Sequence, residues 1–163
     1  MKAERTIAII GDTGNFCPAL AKQLAGKNVR LLFVSNDEEK ELALKNRLDS
    51  ANPPAEVDFT TCEKEGCWEA DVIAFTHPET IEQGLIEKIK EVATQKIVLI
   101  LSHEEDCPIL KDKVNFEELL PHSMVVKVVL NIEKMQVGLL GNDEGSLLTV
   151  RGFFEEAGYT LKK

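Results

Sequence analysis

Residues 5–24, RTIAIIGDTGNFCPALAKQL, decide how the rest of the chain is read. Thr6-Ile7-Ala8-Ile9-Ile10 is a short apolar run rich in β-branched residues. It stops at Gly11-Asp12-Thr13-Gly14, after which Phe16, Leu20 and Leu24 recur every four residues. This pattern predicts strand, glycine turn and helix in succession. A buried strand feeding directly into a helix leaves backbone N–H groups unpaired at the helix N-terminus, where the helix dipole adds partial positive charge. Such a place suits a pyrophosphate. A dinucleotide turn asks for three small positions: one for the tight turn, one for close phosphate approach and one for helix-on-strand packing. Gly11, Gly14 and Cys17 stand at those steps. Gly-x-x-Gly also occurs in ordinary turns, so a nucleotide site and a plain turn both stay open at this point.

Working outward, 163 residues make one domain's worth of chain, long enough to bury a substantial core. Apolar residues make up 44% and charged residues 29%, which points to a globular rather than a disordered chain. No apolar run approaches the ~20 residues of a membrane span. Residues 1–5 lead straight into the first strand without a signal-peptide core, so the expected location is the cytoplasm and no membrane partner is expected. A net charge of −9 argues against nucleic acid as a partner, because nonspecific affinity for phosphate backbones comes from clustered Lys and Arg. An anionic cofactor must then be held by local dipoles. The four cysteines, Cys17, Cys62, Cys67 and Cys107, show no C-x-x-C and no histidine partner spacing, and they read as free thiols with no metal.

Beyond the first helix, Gly26-Lys27-Asn28 is a stop and Val29–Val34 reads as the second strand. Ser35-Asn36-Asp37 follows, roughly two dozen residues after Gly11, where a dinucleotide fold meets the adenosine ribose. Ser35 and Asn36 divide evenly between ribose contact and helix capping, since Asn36 and Glu39 form a capping box for a helix over 38–51. After Pro53-Pro54, Glu56–Thr60 alternates as an edge strand does, and Glu63–Glu69 is a short helical connection. Trp68 reads as a core or rim packing residue.

Asp71–Phe75 is nearly continuous in apolar character, as in a strand covered on both faces. It ends in Thr76-His77-Pro78, before an amphipathic helix marked by Ile81, Leu85, Ile89 and Val92. In an open parallel sheet the ligand lies beyond the carboxyl ends of the strands where strand order reverses. His77 is therefore either a donor to a nicotinamide, ribose or substrate oxygen, or a solvent-facing residue at a helix start. A fifth strand, Lys96–Leu101, ends in Ser102-His103-Glu104-Glu105-Asp106. A histidine among acids invites a metal or acid–base role, but its partners would all be sequence neighbours, and the stretch reads as a solvated acidic loop or helix start. Phe116–Leu120 is a short helix, and Met124–Leu130 with the following Asn131 is a sixth strand. Gln136–Gly141 is a seventh, Asn142-Asp143 caps a helix stopped by Gly158, and Tyr159–Leu161 is a last short strand. About eight strands alternating with helices predict a doubly wound, mainly parallel α/β sheet, Rossmann-like and three-layered, in one domain over 1–163.

Several stretches together carry a likeness. Residues 7–16 (IAIIGDTGNF), 34–37 (VSND), 125–131 (VVKVVLN), 141–144 (GNDE) and 155–159 (EEAGY) occur in one order. The chain resembles the NADP-binding domain of the deazaflavin-coenzyme-dependent NADP oxidoreductase family, related to pyrroline-carboxylate reductase and to the ferric reductase domain of the six-transmembrane epithelial antigens. The resemblance implies that Thr13, Asn15 and Phe16 line the pyrophosphate turn with Gly11 and Gly14. It implies that Ser35 and Asn36 meet the adenosine ribose or its 2′-phosphate, and that Thr76, His77 and Pro78 lie along the nicotinamide half. Asn36 stands where the family usually has arginine, so NADP is the implied cofactor with NAD as the alternative.

The implied activity is hydride transfer between NADPH and a flavin- or deazaflavin-like small-molecule acceptor. Positioning then supplies most of the catalysis, and no catalytic side chain is assigned. The family continues beyond the position of Lys163 into a segment that completes the acceptor site. A homodimer whose partner chain supplies that wall is the corresponding expectation. The alternative from a different class is a dinucleotide-binding or sensor module without turnover that acts through a partner chain. A third is a degenerate domain of the same fold that binds no dinucleotide.

Overall fold

A computed structural model of the chain describes residues 5–10, 29–34, 39, 42, 46, 56–75, 83–103, 116–131, 133–156 and 158–161. The strands are β1 (Arg5–Ile10), β2 (Val29–Val34), β3 (Glu56–Thr60), β4 (Val72–Phe75), β5 (Ile97–His103), β6 (Met124–Asn131), β7 (Gln136–Gly141) and β8 (Thr160–Leu161). The helices are α1 (Glu63–Glu69), α2 (Gln83–Ile89), α3 (Phe116–Leu119) and α4 (Glu144–Glu156). Glu39, Leu42 and Asn46, inside the stretch expected to be the second helix, are also helical.

All eight strands form one sheet in the order β3-β2-β1-β4-β5-β6-β7-β8. β1 to β6 are parallel, β7 returns antiparallel to β6 as a hairpin, and β8 lies parallel to β7. The central β4, Val72-Ile73-Ala74-Phe75, is at most 2% exposed along its whole length. Complete burial is what removes the polar alternation from its sequence.

Alternate residues of the strands feed two cores on opposite faces of the sheet. On one face Ala8, Ile10, Ile73, Phe75, Val98 and Ile100 pack with Cys67 of α1 and with Ile86 and Ile89 of α2. On the other, Ile7, Ile9, Leu31, Phe33 and Leu99 share a core with Val150 and Phe154 of α4. Helices on both faces of a mainly parallel sheet make the three-layer α/β/α arrangement that the strand and helix alternation predicts. Each fully buried large side chain contributes about 1.5–3 kcal/mol of transfer free energy, so the double-sided burial of β4 is a main source of stability.

The amino edge of the sheet is cross-linked by polar bonds. The Thr6 N–H donates to Asp71 Oδ2 at 2.9 Å, and Arg30 bridges Asp58 at 2.6 Å and Glu69 at 3.3 Å. The Lys96 ammonium donates to the Cys67 and Trp68 carbonyls at 2.6 and 2.7 Å, satisfying orphan acceptors at the C-terminal end of α1. Close seating of α1 on the sheet requires Gly66, since a Cβ there would stand 2.8 Å from Val34 Cγ2.

Three sequence expectations change. Trp68 is 69% exposed rather than a packing residue, because the buried side of α1 is taken by Gly66 and Cys67. Ser102 and His103 belong to β5 and are not a loop after it, since β6 is long enough to pair with both. The helix expected over 81–92 is described as α2 from Gln83 to Ile89, followed by turns, with Gln95 at φ 64°. Cys62 is exposed and Cys67 buried, both free, while Cys17 and Cys107 lie outside the described residues. No helix among the described residues is long and apolar enough to cross a membrane.

Candidate functional site

Strand order reverses between β1 and β4. From β1 the chain moves outward through β2 and β3; it then returns to β4 on the other side of β1 and moves outward through β5 and β6. Connections leaving in opposite directions open a crevice at the carboxyl ends of the two central strands, the general ligand position in doubly wound sheets. Register places the strand ends bordering that crevice in one row: Ile10 stands beside Val34 on one side and Phe75 on the other. Val34 stands beside Thr60, and Phe75 beside Ile100.

The candidate residues attach to this row through the sequence. Gly11 follows Ile10, Ser35 follows Val34, and Thr76 follows Phe75. Gly11, Thr13, Gly14, Asn15, Phe16, Ser35, Asn36, Thr76, His77 and Pro78 themselves all lie outside the described residues. What the fold brings together is the three strand ends from which these segments continue. Ile10, Val34 and Phe75 are apolar and buried, so the row itself offers no positive charge to an anion.

Charge lies instead at the opposite edge, where it is already paired. The Arg30 guanidinium is held charged, its pKa raised by the hydrogen bond to Asp58. Burial lowers the pKa of Lys96 while its ammonium binds backbone carbonyls. Burial pushes the Cys67 thiol up to about 12, which leaves it an inert packing group. A groove of about 280 Å³ between α1, β2 and β3 is lined by Arg30, Thr60 and the carboxylates of Asp58, Glu65 and Glu69. With three acids against one guanidinium it is wrongly charged for a pyrophosphate.

β5 runs three residues past Ile100 to His103, and β6 keeps pace through Leu130, the register partner of His103. Ser102 donates its hydroxyl to the Val128 carbonyl at 3.3 Å, tying β5 to β6. Asn131 Oδ1 accepts the Lys134 N–H at 3.1 Å and closes the turn into β7. Sequence reading ended β5 before the first polar residue, Ser102, two residues short of its end at His103.

Asp143, expected as a helix cap, has that role. Its Oδ2 accepts both the backbone N–H and the hydroxyl of Ser146 at the start of α4, which holds the carboxyl below its usual pKa.

No family model matches the chain, and no curated protein matches it. Solved structures do. A protein from Arthrobacter sp. FB24 assigned as an F420-dependent NADP reductase superposes with a TM-score of 0.69 at 17% identity, over 96% of this chain and 83% of that one. Pyrroline carboxylate reductase of Plasmodium falciparum, a structure with NADP bound, gives 0.62 at 13% identity, over 100% and 59%. Synechocystis arogenate dehydrogenase gives 0.68 at 15%, over 96% and 58%. The chain therefore spans most of the first neighbour and less than two thirds of the other two. At these identities the likeness is one of fold, and the shared fold is the Rossmann-like α/β sheet.

Proposed function

We propose that the chain binds a nicotinamide dinucleotide across the β1/β4 crevice and moves hydride between NADPH and a flavin- or deazaflavin-like acceptor. The observation that carries the reading is the reversal of strand order at β1/β4, with the sequence Gly11-Asp12-Thr13-Gly14 continuing directly from the end of β1. Gly11 and Gly14 form the turn, and Thr13, Asn15 and Phe16 line it beside the pyrophosphate. Ser35 and Asn36 meet the ribose, and Thr76, His77 and Pro78 border the nicotinamide. Backbone N–H groups hold the phosphates, in keeping with an edge row that carries no cation. When bound, the dinucleotide supplies the hydride; the chain binds, orients and excludes water.

NADP is favoured over NAD by the similarity to NADP-binding reductases, and Asn36 is the residue on which that preference turns. The deazaflavin acceptor is supported by the similarity to the Arthrobacter protein. A homodimer is proposed alongside.

Parallel calorimetric titrations with NADPH, NADH, NADP and NAD test the reading. Micromolar binding of NADPH or NADP with much weaker NADH is the expected result. Turnover with flavin and deazaflavin acceptors then separates a reductase from a binding or sensor module. No heat from any of the four nucleotides means the glycine turn is structural and the reading fails.

A further inference from the structure

We infer that the groove between α1, β2 and β3, with Trp68 on its rim, is a docking surface for an arginine-bearing segment of a partner protein. The inference does not depend on the reductase reading above. The groove sits at one end of the sheet, because β3 is the edge strand on that side. Its floor is β2 and β3, where Leu32 stands beside Asp58 and Val34 beside Thr60, and its wall is α1, seated close by Gly66. Three carboxylates, Asp58, Glu65 and Glu69, line it against one cation, Arg30. Arg30 is already engaged, at 2.6 Å with Asp58 and 3.3 Å with Glu69. Glu65 is exposed and has no hydrogen-bond or ion-pair partner among the described residues. The sign that excludes a pyrophosphate is the sign that attracts a guanidinium, and the chain's net charge of −9 extends the same field outward. Among the described residues no three of His, Cys, Asp and Glu are grouped to hold a metal ion, so the cation that fits is one carried on a side chain.

Trp68 decides the class of partner. Positions three and four apart on a helix share a surface, so Glu65, Trp68 and Glu69 are neighbours on α1, and the Trp68 ring continues outward from the wall that the two glutamates make. Gly66 and Cys67 take the buried side, which leaves the ring 69% exposed. An indole in that position holds a large apolar surface in water, and tryptophan and arginine are the residue types that most often anchor protein interfaces. An incoming arginine meets all of these groups at once. Its planar fork matches a carboxylate in bidentate fashion, its methylene stem packs along the groove floor beside Leu32, and its guanidinium stacks on the indole. Lysine brings a point charge without the fork or the stacking plane. Within α1, Lys64 is outnumbered by Glu63, Glu65 and Glu69, so the helix adds to the field that favours the incoming cation.

Trp68 is the chain's single tryptophan, so its fluorescence reports on this surface alone. The test titrates the unaltered full chain with octaarginine at low salt. The Trp68 emission should move to shorter wavelength and become protected from acrylamide, and octalysine should bind more weakly. Anisotropy of fluorescein-labelled octaarginine then compares variants. Glu65→Lys should weaken binding by about three- to tenfold and Trp68→Ala by about tenfold. Glu133→Lys changes the net charge equally on the β6–β7 turn, at the other end of the sheet, and should change binding by less than about twofold. The emission shift is read on the unaltered protein and does not depend on how well a variant folds. Octaarginine that leaves the Trp68 emission unmoved, or that binds Glu65→Lys as tightly as Glu133→Lys, is held by overall negative charge and overturns the assignment. Spermine that displaces octaarginine and reproduces the full emission shift also overturns it, because the surface then takes a small polyamine rather than a protein segment.

Discussion

Gly66→Ala and Gly152→Ala make the same chemical change in two helices and are expected to move stability in opposite directions. Both residues sit inside a helix, Gly66 in α1 and Gly152 in α4. Replacing glycine by alanine in a helix interior normally stabilises by about 0.5–1 kcal/mol, because the unfolded chain loses backbone freedom. At Gly152 a new Cβ meets nothing within 4 Å, so that gain is realised. At Gly66 the Cβ lands 2.8 Å from Val34 Cγ2 and 3.1 Å from Thr60 Cγ2, well inside the ~3.5–4.0 Å of an ordinary carbon contact. Both neighbours are β-branched and stiff at χ1, and Val34 is only 7% exposed, so relief comes by lifting α1 from the sheet. Overpacking of this kind costs about 1–3 kcal/mol, which outweighs the helical gain. Gly66→Ala should then be less stable than the parent by about 0.5–2 kcal/mol, and Gly152→Ala more stable by about 0.5–1 kcal/mol. At this chain length 1 kcal/mol moves the melting temperature by about 2–4 °C. Urea unfolding followed by far-UV circular dichroism reads both values. Because Val34 and Thr60 end their strands beside the crevice, Gly66→Ala should also weaken dinucleotide binding while Gly152→Ala leaves it unchanged. A Gly66→Ala protein as stable as Gly152→Ala would refute the close seating of α1 on β2 and β3.

Two further perturbations test the buried titratable groups. Tyr159 is 3% exposed, packs edge-on against Phe154 at 5.5 Å, and its hydroxyl has no hydrogen-bond partner among the described residues. Tyr159→Phe should therefore be neutral or stabilising by up to about 1 kcal/mol, because it removes an orphaned polar group and keeps the ring. Burial raises the Tyr159 pKa above 10.0, so its contribution is fully present below pH 10 and is lost as pH rises through the folded value; the variant should lose this part of the alkaline decline in stability. Cys67, pushed up to about 12 from 9.0 by burial, has the same sign and loses its contribution from pH 9 upward. Peptide mapping after brief alkylation of the native protein at neutral pH should show label on exposed Cys62 and none on Cys67 until the chain is unfolded. Early labelling of Cys67 would mean that α1 opens locally.

Much of the fold is legible in the sequence because short-range chemistry decides it. The β-branched runs at 6–10 and 72–75 announce buried strands, and Asp143 with Ser146 three residues on announces the start of α4, since each signal depends on neighbours a few positions away. The candidate site is proposed from motifs of the same short range, glycines after a strand and polar residues following the next ones, and those residues lie outside the described ones. Trp68 was misread because the composition of a seven-residue helix does not say which side faces the sheet; Gly66 and Cys67 took that side. The length of β5 was equally out of reach, since Ser102-His103 looks like a polar loop until β6 is seen to run alongside and pair with it.

What the sequence by itself determined is the succession of strands, turns and helices and the residue types at their ends. Only the tertiary structure decided that β1 lies between β2 and β4, that Ile10, Val34 and Phe75 share one row, and that β5 pairs with β6 through His103. Those are pairings between residues more than twenty positions apart, selected by burial on two faces of one sheet, and no local pattern encodes them.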